Sequence, residues 1–214
     1  MLTLDLIQKV FRLSLTDIKQ QDFGWDSIME VKFLTEAQNA IEDLKNQTYQ
    51  LRRIQHILKT AKLNKQTVFV CGNGGSAGTA SHFVCDLFKT SKVRSICLNE
   101  NKSLTTAMIN DEGWDNLYLR QLERLFNKGD VLIVISVHGG VGSDNADLWS
   151  QNLVKAVEYV NKNGGMTIGL SGFDGGSFVD VCNTNIVIHA NSTPLVESLH
   201  SLVCHLIAFS IEKE

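Results

Sequence analysis

Two helical segments of this sequence carry acidic and basic side chains at a spacing that suits a metal ion or an acid/base pair. His82 and Asp86 lie four residues apart, so they share one face of the helix that follows a glycine-rich turn. A last helix carries Glu197, Ser201 and His205 with the same four-residue step. Imidazole nitrogen and carboxylate oxygen are ligands that Zn²⁺ accepts. The spacing predicts a metal site, with an incidental solvated face as the alternative, and its candidate ligands are His82, Asp86, Glu197 and His205.

The two ligands on the last helix must reach across one intervening turn. Glu197 and His205 are eight residues apart, about 12 Å along a helix axis, so they converge on one ion only when the residue between them is small. Ser201 occupies that position and is small. His200 lies on the flank of this face, where a packing or hydrogen-bonding role is favoured over a ligand role.

The stretch CGNGGSAG predicts an anion-binding turn between a strand and a helix. Residues 72–75 allow positive φ and expose backbone N–H groups, and Ser76 then opens a helix whose N-terminus favours an anion. A phosphate is the expected ligand, and a plain tight turn is the alternative. The stretch also fits the G-x-G-x-x-A pattern of dinucleotide-binding proteins, with Glu100 as ribose acceptor, but this pattern alone is weak evidence.

Five short apolar runs alternate with segments of helical periodicity along the chain. The runs cover residues 67–71, 94–98, 131–136, 166–170 and 185–189. They are continuously apolar rather than alternating, which is typical of strands covered by helices on both faces. The sequence therefore predicts an α/β fold with a doubly wound, five-stranded parallel sheet.

A long helical pattern precedes the first predicted strand. Residues 26–62 place apolar side chains every three or four positions. Because this segment is longer than a crossover helix requires, we expect its apolar stripe to pack mainly against another subunit. The predicted organisation is an N-terminal helical arm, residues 1–62, followed by a single α/β domain, residues 63–214.

The composition favours a small-molecule ligand over nucleic acid or a membrane. The net charge of −3 arises from 20 basic and 23 acidic residues that are interspersed, without a basic stripe. The N-terminus lacks the pattern of a secretion signal, and no run approaches 18 uninterrupted apolar residues. Five cysteines without a Cys-x-x-Cys pair are predicted to be buried, reduced thiols. A cytoplasmic location is expected.

Taken together, these segments resemble the phosphosugar isomerases built on the SIS (sugar isomerase) domain, specifically the sedoheptulose-7-phosphate isomerases, also called phosphoheptose isomerases. The resemblance covers roughly residues 30–212 and rests on CGNGGSAGTASHF, MINDEGWDNLYLRQL, GDVLIVIS, GGMTIGLSGFDGG and VESLHSLVCHLI. It implies a homotetramer of flavodoxin-like domains with bundled N-terminal helices and active sites at subunit interfaces. It also implies aldose–ketose isomerisation that supplies heptose for a glycan such as lipopolysaccharide.

The resemblance also implies roles for individual residues. His82 and His205 match the family's two metal-binding histidines, which implies one zinc ion per active site. The family's glutamate on the first helix is Asp86 here, and its glutamine on the last helix is Glu197. Either carboxylate is therefore a candidate catalytic base, with His205 as proton shuttle. The implied substrate-binding residues are Asn73, Gly74, Gly75, Ser76, Asn110, Asp111, Ser136, His138 and Ser143.

The loop after the third strand departs from the family's pattern. In place of Ser-Thr-Ser-Gly-Asn-Ser the chain has SVHGGVGSDNADLWSQ, which keeps Ser136, introduces Val137 and His138, and adds roughly nine residues. Ser143 and Asn145 are candidates to restore polar contacts. His138 is expected either to cap a phosphate as imidazolium or to hydrogen-bond inside the loop. The identity of the sugar phosphate is therefore left open.

Three functions are compatible with these features. The leading hypothesis is a sugar-phosphate isomerase, because two histidines and two carboxylates are retained. The second is a SIS-fold protein without turnover that binds a phosphosugar or recruits a protein partner, resembling replication-initiator-associating relatives, and the altered phosphate loop favours it. The third is a nicotinamide-dependent dehydrogenase, which would leave His82 and Glu197 unexplained.

Overall fold

The computed structural model describes residues 26–140 and 150–212, and among these the side chains of residues 29–140 and 150–211. The described strands are β1 Val68–Gly72, β2 Ser95–Cys97, β3 Val131–Ile135, β4 Met166–Gly172 and β5 Thr184–Ile188. They form one parallel sheet in the order β2-β1-β3-β4-β5. The predicted fold class is confirmed.

Helices cover both faces of this sheet. In chain order the described helices are α1 Asp26–Leu44, α2 Thr48–Leu63, α3 Gly75–Lys89, α4 Lys102–Glu112, α5 Leu117–Leu125, α6 Gln151–Lys162, α7 Phe178–Val181 and α8 Thr193–Glu212. Short 3₁₀ turns lie at Lys45–Gln47 and Trp114–Asn116.

Alternate residues of one strand belong to two separate cores. In β1, Val68 and Val70 pack with α2, α3 and α8, whereas Phe69 and Cys71 pack with α5 and α6. Successive side chains of a strand point to opposite faces, so a sheet covered on both faces needs apolar residues at every position. This requirement explains why the strands were recognisable as continuous apolar runs.

The predicted long N-terminal helix is interrupted at Gln47, whose side chain pairs with the outer edge of β5. The Gln47 carboxamide donates to the carbonyl oxygen of Val187 at 2.6 Å and accepts from the Val187 N–H at 2.9 Å. It thereby satisfies the backbone hydrogen-bonding groups of the edge strand β5 at Val187, as a neighbouring strand would. The backbone at Gln47 leaves helical geometry, with φ −97° and ψ 21°, before α2 begins.

The structure divides the chain into compact units at a different position from the one expected from the sequence. The boundary between the two units lies between Glu36 and Ala37, so α2 belongs to the same compact unit as the sheet. The buried residues of α2 include Ile54 and Leu58, which lie in the core that also contains α3 and α8. The sequence had placed α2 in a helical arm that ends at residue 62.

Several apolar side chains at the helical spacing of a core face are exposed, namely Phe88 on α3 and Leu202 and Leu206 on α8. Cys85, which was predicted to be buried, is exposed as well. The helical period predicts which apolar residues share a face of a helix, but it does not predict how much of that face neighbouring elements cover. Because Leu206 directly follows His205, part of this apolar surface borders the candidate site.

Helix α8 is long and apolar enough, over Thr193–Ile211, to cross a membrane by length and composition alone. Half of that stretch is buried inside the protein, where Val203 and Ile207 pack against the sheet. Such burial is typical of the core helix of an α/β domain.

Replacing Gln47 by alanine is expected to lower the free energy of unfolding by about 1–3 kcal/mol, because both polar groups of Val187 on this edge lose their partner. Urea denaturation of the wild type and the variant measures the change. Tyr49→Ala, at an exposed neighbouring position, serves as the control and should leave the midpoint nearly unchanged. Equal midpoints for Gln47→Ala and wild type would contradict the edge-pairing role.

Candidate active site

Helices α3 and α8 run in the same direction and meet along a row of small and polar residues. The facing pairs, in chain order along both helices, are Gly75 with Glu197, Thr79 with Ser201, and Asp86 with His205. Each step corresponds to one or two helical turns, so the row follows a single face of each helix. We call it the polar seam, and it comprises Gly75, Thr79, His82 and Asp86 of α3 and Glu197, Ser201 and His205 of α8.

At one end of the polar seam, His82, Asp86 and His205 bring three ligand atoms within 4.8 Å of one another. Oδ2 of Asp86 lies 2.8 Å from Nδ1 of His205 and 3.8 Å from Nε2 of His82. The two imidazole rings are nearly perpendicular, with centroids 5.0 Å apart. The side chain of Asp86 is only 14% exposed, whereas those of His82 and His205 are 65% and 47% exposed.

The buried oxygen of Asp86 indicates that a cation fits between these side chains. Oδ2 has no hydrogen-bond partner among the described residues, because the nearby ring nitrogen of His205 does not point an N–H at it. A buried charged oxygen without a donor is costly unless a cation neutralises it. Two nitrogen ligands and one carboxylate oxygen suit zinc, and three protein ligands leave a coordination position for substrate.

Glu197 lies at the opposite end of the polar seam, outside this cluster. Its carboxylate sits against the glycine turn, where a Cβ atom on Gly75 would collide with Oε1 of Glu197. The backbone positions of Glu197 and His205 are about 12 Å apart along the axis of α8, and the Glu197 carboxylate lies against Gly75. The structure thus brings together three of the four predicted metal ligands and leaves Glu197 apart.

The middle of the polar seam is occupied by small residues, as the spacing required. The hydroxyls of Thr79 and Ser201 approach each other at 3.5 Å, and Ser201 also donates to the carbonyl oxygen of Glu197 at 3.3 Å. An open cavity of about 270 Å³ lies beside them. Its lining residues are Gly78, Thr79, His82, Phe83, Ser201, Cys204 and His205.

The glycine turn has the geometry of a donor site. Gly74 adopts φ +57° and ψ −127°, a conformation that favours glycine, while Gly72 and Gly75 have no room for a side chain. Ser76 is buried, and its N–H donates to the carbonyl oxygen of Asn73 at 3.1 Å. Among the described residues, the N–H groups of Gly74 and Gly75 have no backbone acceptor. These two amides are the donors that the turn offers to a ligand.

The other residues implied to bind substrate lie on separate elements. Asn110 and Asp111 are exposed on α4, where the amide of Asn110 donates to the carboxylate of Asp111 at 2.6 Å. Ser136 is buried after β3, and its hydroxyl accepts from the N–H of Gly140 at 3.3 Å. Ser143 lies outside the described residues. Their roles in substrate binding stay predictions.

His138 is held within the loops that follow β3 and β4. Its ring stacks on Phe173, with centroids 4.5 Å apart and an interplanar angle of 29°. Phe173 has φ +54°, which is uncommon for a residue other than glycine. Gly139 and Gly176 lie where the two loops touch, with no space for side chains. Stacking thus fixes the imidazole, while its phosphate-capping role stays a prediction, and Asn145 lies outside the described residues.

His200 is fully buried on α8, as expected for a packing histidine. Its ring nitrogens have no hydrogen-bond partner among the described residues. Burial lowers the pKa of His200 to about 4, and the backbone of Ser171 approaches the ring and opposes this shift without the geometry of a hydrogen bond. The imidazole is therefore neutral at physiological pH.

Three residues at the glycine turn were missed by sequence reasoning. Asn99, Tyr118 and Asn152 hydrogen-bond to Gly72 or Asn73. They come from three segments that are distant in the sequence, and only Tyr118 lies in a motif of the family resemblance, MINDEGWDNLYLRQL. A further signal was a polar residue on a helix face that is otherwise apolar, as for Tyr118 and Asn152.

Known proteins resemble this chain in sequence and in structure. The sequence profile of the SIS domain matches residues 32–172. The phosphoheptose isomerase of Aliarcobacter butzleri is 34% identical over 188 residues, which cover 86% of this chain and 95% of the relative. The phosphoheptose isomerase of Helicobacter pylori strain P12 is 31% identical over 193 residues, which cover 88% of this chain and 96% of the relative. The solved structure of the phosphoheptose isomerase of Neisseria gonorrhoeae superposes with a TM-score of 0.76 at 25% identity. The match covers 88% of this chain and 97% of that protein.

We expect His205→Ala to abolish stoichiometric zinc binding, because one of three ligand atoms at the buried oxygen of Asp86 is lost. Elemental analysis after incubation with zinc and desalting measures it. His189→Ala is the matched control, since His189 approaches Asp43 at 3.6 Å in a pair that lacks a second histidine, and it should retain zinc. Full zinc content in His205→Ala would exclude the cluster as the binding site.

The buried His200 should make stability depend on pH. Its pKa is about 4 in the folded state and about 6.5 in an unfolded chain, so the unfolded state binds more protons between these values. The free energy of unfolding should therefore fall as the pH decreases from 6.5 to 4, by up to about 3 kcal/mol. Urea denaturation across this range should show a flatter profile for His200→Gln but not for His56→Gln, an exposed control. An unchanged slope in His200→Gln would contradict this account.

Proposed function

The chain belongs to the phosphoheptose isomerase family of SIS-domain proteins, and we propose that it interconverts a ketose phosphate and an aldose phosphate, with sedoheptulose 7-phosphate as the ketose. The observation that carries this proposal is the polar seam. It joins a turn with two available N–H groups, a carboxylate at that turn and a cation-compatible cluster along one helix contact. An isomerase needs these three parts: substrate donors, a base and an electrophile.

Glu197 is the base that we favour for the proton transfer. Isomerisation of a ketose removes a proton from C1 and returns it to C2, while the hydroxyl proton on O1 is transferred to the C2 carbonyl oxygen, so that C1 becomes the aldehyde. The Glu197 carboxylate lies at the glycine turn, where Gly74 and Gly75 can donate to the sugar. Asp86 is less suited, because its buried oxygen faces the imidazoles of His82 and His205.

A single zinc ion would be held by His82, Asp86 and His205. When bound, such an ion polarises a substrate oxygen and stabilises the negative charge that develops on it. His205 approaches Asp86 through Nδ1, so its other ring nitrogen is the one available for exchanging a proton with a substrate oxygen.

The substrate phosphate is better accommodated by the loop after β3 than by the glycine turn. The negative charge of Glu197 at Gly75 would repel a phosphate bound at the same turn. We therefore assign the sugar end of the substrate to Gly74 and Gly75. The phosphate end is assigned to the start of the loop after β3, where the Ser136 hydroxyl and the His138 imidazole are the candidate donors.

A homotetramer is part of the proposal. Leu206 and Phe209 on α8 and Phe88 on α3 leave apolar surface in water beside a half-exposed His205. Further apolar side chains are exposed on α1, among them Met29. Patches of this kind commonly mark contacts between subunits. A neighbouring subunit on α8 would also limit the access of water to the polar seam.

The alternative of a SIS-fold protein without turnover is not favoured. A protein that only binds a phosphosugar would not need both a carboxylate at the sugar site and a second, separate cluster of cation ligands. The relatives with high coverage are named as isomerases. The cytoplasmic location, the supply of heptose to a glycan and the absence of nucleic-acid or membrane partners stay predictions.

Replacing Glu197 by glutamine is expected to lower kcat on sedoheptulose 7-phosphate by roughly 10²–10⁴-fold, because a carboxamide cannot accept the proton. Zinc content should be unchanged, since Glu197 lies outside the metal cluster. The measurements are turnover and the incorporation of deuterium from D₂O into the sugar. The control, Glu158→Gln on the exposed face of α6, should behave as wild type. Full turnover in Glu197→Gln would indicate that Asp86, and not Glu197, is the base.

A further inference from the structure

The side chain of Asn73 is fixed by a reciprocal pair of hydrogen bonds with Asn152. Nδ2 of Asn73 donates to Oδ1 of Asn152, and Nδ2 of Asn152 donates to Oδ1 of Asn73, both at 3.0 Å. Asn152 is fully buried in the first turn of α6, where its Oδ1 also accepts from the N–H of Leu153 at 2.9 Å. The pair therefore joins the glycine turn after β1 to the helix that follows the β3 loop.

Tyr118 supports the same turn from a third element, α5. Its hydroxyl donates to the carbonyl oxygen of Gly72 at 2.7 Å, with Oδ1 of Asn73 as a second acceptor at 3.1 Å. The hydroxyl also accepts from Nδ2 of Asn99 at 2.8 Å. Tyr118 is fully buried, and burial raises the pKa of Tyr118 far above its usual range, so this donor is present at every pH relevant to an enzyme.

Asn99 completes the network by pairing with the backbone of Gly72. Its Oδ1 accepts from the Gly72 N–H at 3.3 Å, and its Nδ2 donates to the Gly72 carbonyl oxygen at 2.9 Å. Both polar backbone groups of the last residue of β1 are therefore held in place. A glycine-rich turn has many accessible conformations, so such restraints reduce the entropy that is lost when the turn binds a ligand.

The hydrogen bonds of Asn73 are directed into the protein. Oδ1 of Asn73 accepts from Nδ2 of Asn152 and from the Tyr118 hydroxyl, and one N–H of the Asn73 amide donates to Oδ1 of Asn152. At most one N–H of this amide is left for a substrate. Asn73 is therefore better suited to anchoring the turn than to serving as a principal substrate contact, although the family resemblance places it among the binding residues.

We propose that Tyr118 and Asn152 are positioning residues that act through Asn73, and in the case of Tyr118 also through Gly72, to hold the Gly74 and Gly75 N–H groups in the geometry that binds the sugar. This inference rests on the proposed function. Neither residue touches the substrate, and both belong to the fully connected kind of buried polar network that specifies one arrangement of the atoms around it. Such a role predicts an effect on substrate binding that exceeds any effect on zinc binding.

The test compares Tyr118→Phe, which removes only the hydroxyl, with Tyr159→Phe, which removes a hydroxyl outside the network while keeping the ring that packs on Phe126. Tyr118→Phe should raise KM for sedoheptulose 7-phosphate about three- to tenfold, the range for one lost hydrogen bond. Because the amides of the turn bind substrate in the ground state as well as in the transition state, kcat should change by less than about twofold. Zinc content should be unchanged, and Tyr159→Phe should keep the wild-type KM.

A double variant separates positioning from general destabilisation. If Tyr118 and Asn152 act through the same Asn73 side chain, the KM of Tyr118→Phe/Asn152→Leu should rise by less than the product of the two single effects. An unchanged KM in Tyr118→Phe, independent multiplication of the two effects, or a parallel fall of kcat, zinc content and thermal stability would each overturn the inference.

A direct measurement of substrate binding distinguishes a failure of this inference from a failure of the proposed function. Calorimetric titration with sedoheptulose 7-phosphate measures affinity whether or not the protein isomerises the sugar. If the wild type binds it without turnover, the proposed function fails, while weaker binding by Tyr118→Phe than by Tyr159→Phe still supports positioning. Equal binding by these two variants overturns the positioning role in either case.

Discussion

The contact between α3 and α8 is the interaction on which the proposed active site depends. Both helices are anchored in the same core, α3 through Phe83 and Leu87 and α8 through Val203 and Ile207. Because this apolar packing fixes their relative position, the residues on the adjoining edge of each helix face each other in order along the polar seam. Small residues in the middle, Thr79 and Ser201, allow the close approach without filling the cavity.

The arrangement also separates two carboxylates that would repel each other in one small site. Asp86 lies between two imidazoles, and Glu197 lies two helical turns away at the glycine turn. The repulsion between two like charges falls with the distance that separates them. One carboxylate is thereby suited to metal binding and the other to proton transfer.

Side-chain amides pair with strand backbone at two places, beyond the end of β2 and along the outer edge of β5. Asn99 bonds both polar backbone groups of Gly72, and Gln47 bonds both polar backbone groups of Val187. In each case a carboxamide supplies one donor and one acceptor, the pair that a neighbouring strand would provide. At Gly72 this pairing lies directly before the proposed substrate turn, so the end of the strand and the site are stabilised together.

The sequence by itself determined the elements that depend on local chemistry. Continuous apolar runs predicted the parallel sheet, glycines predicted the turn after β1, and the four-residue spacing of His82 and Asp86 placed both on one helix face. Tertiary structure decided which distant residues meet: that His205 joins this pair while Glu197 faces Gly75, that Asn152 pairs with Asn73, and that Gln47 interrupts the N-terminal helix. It also decided that Phe88 and Leu202 are exposed. Spacing within a helix fixes a face, but the rotation and offset of one helix against another follow from the packing of the whole core, which no local pattern encodes.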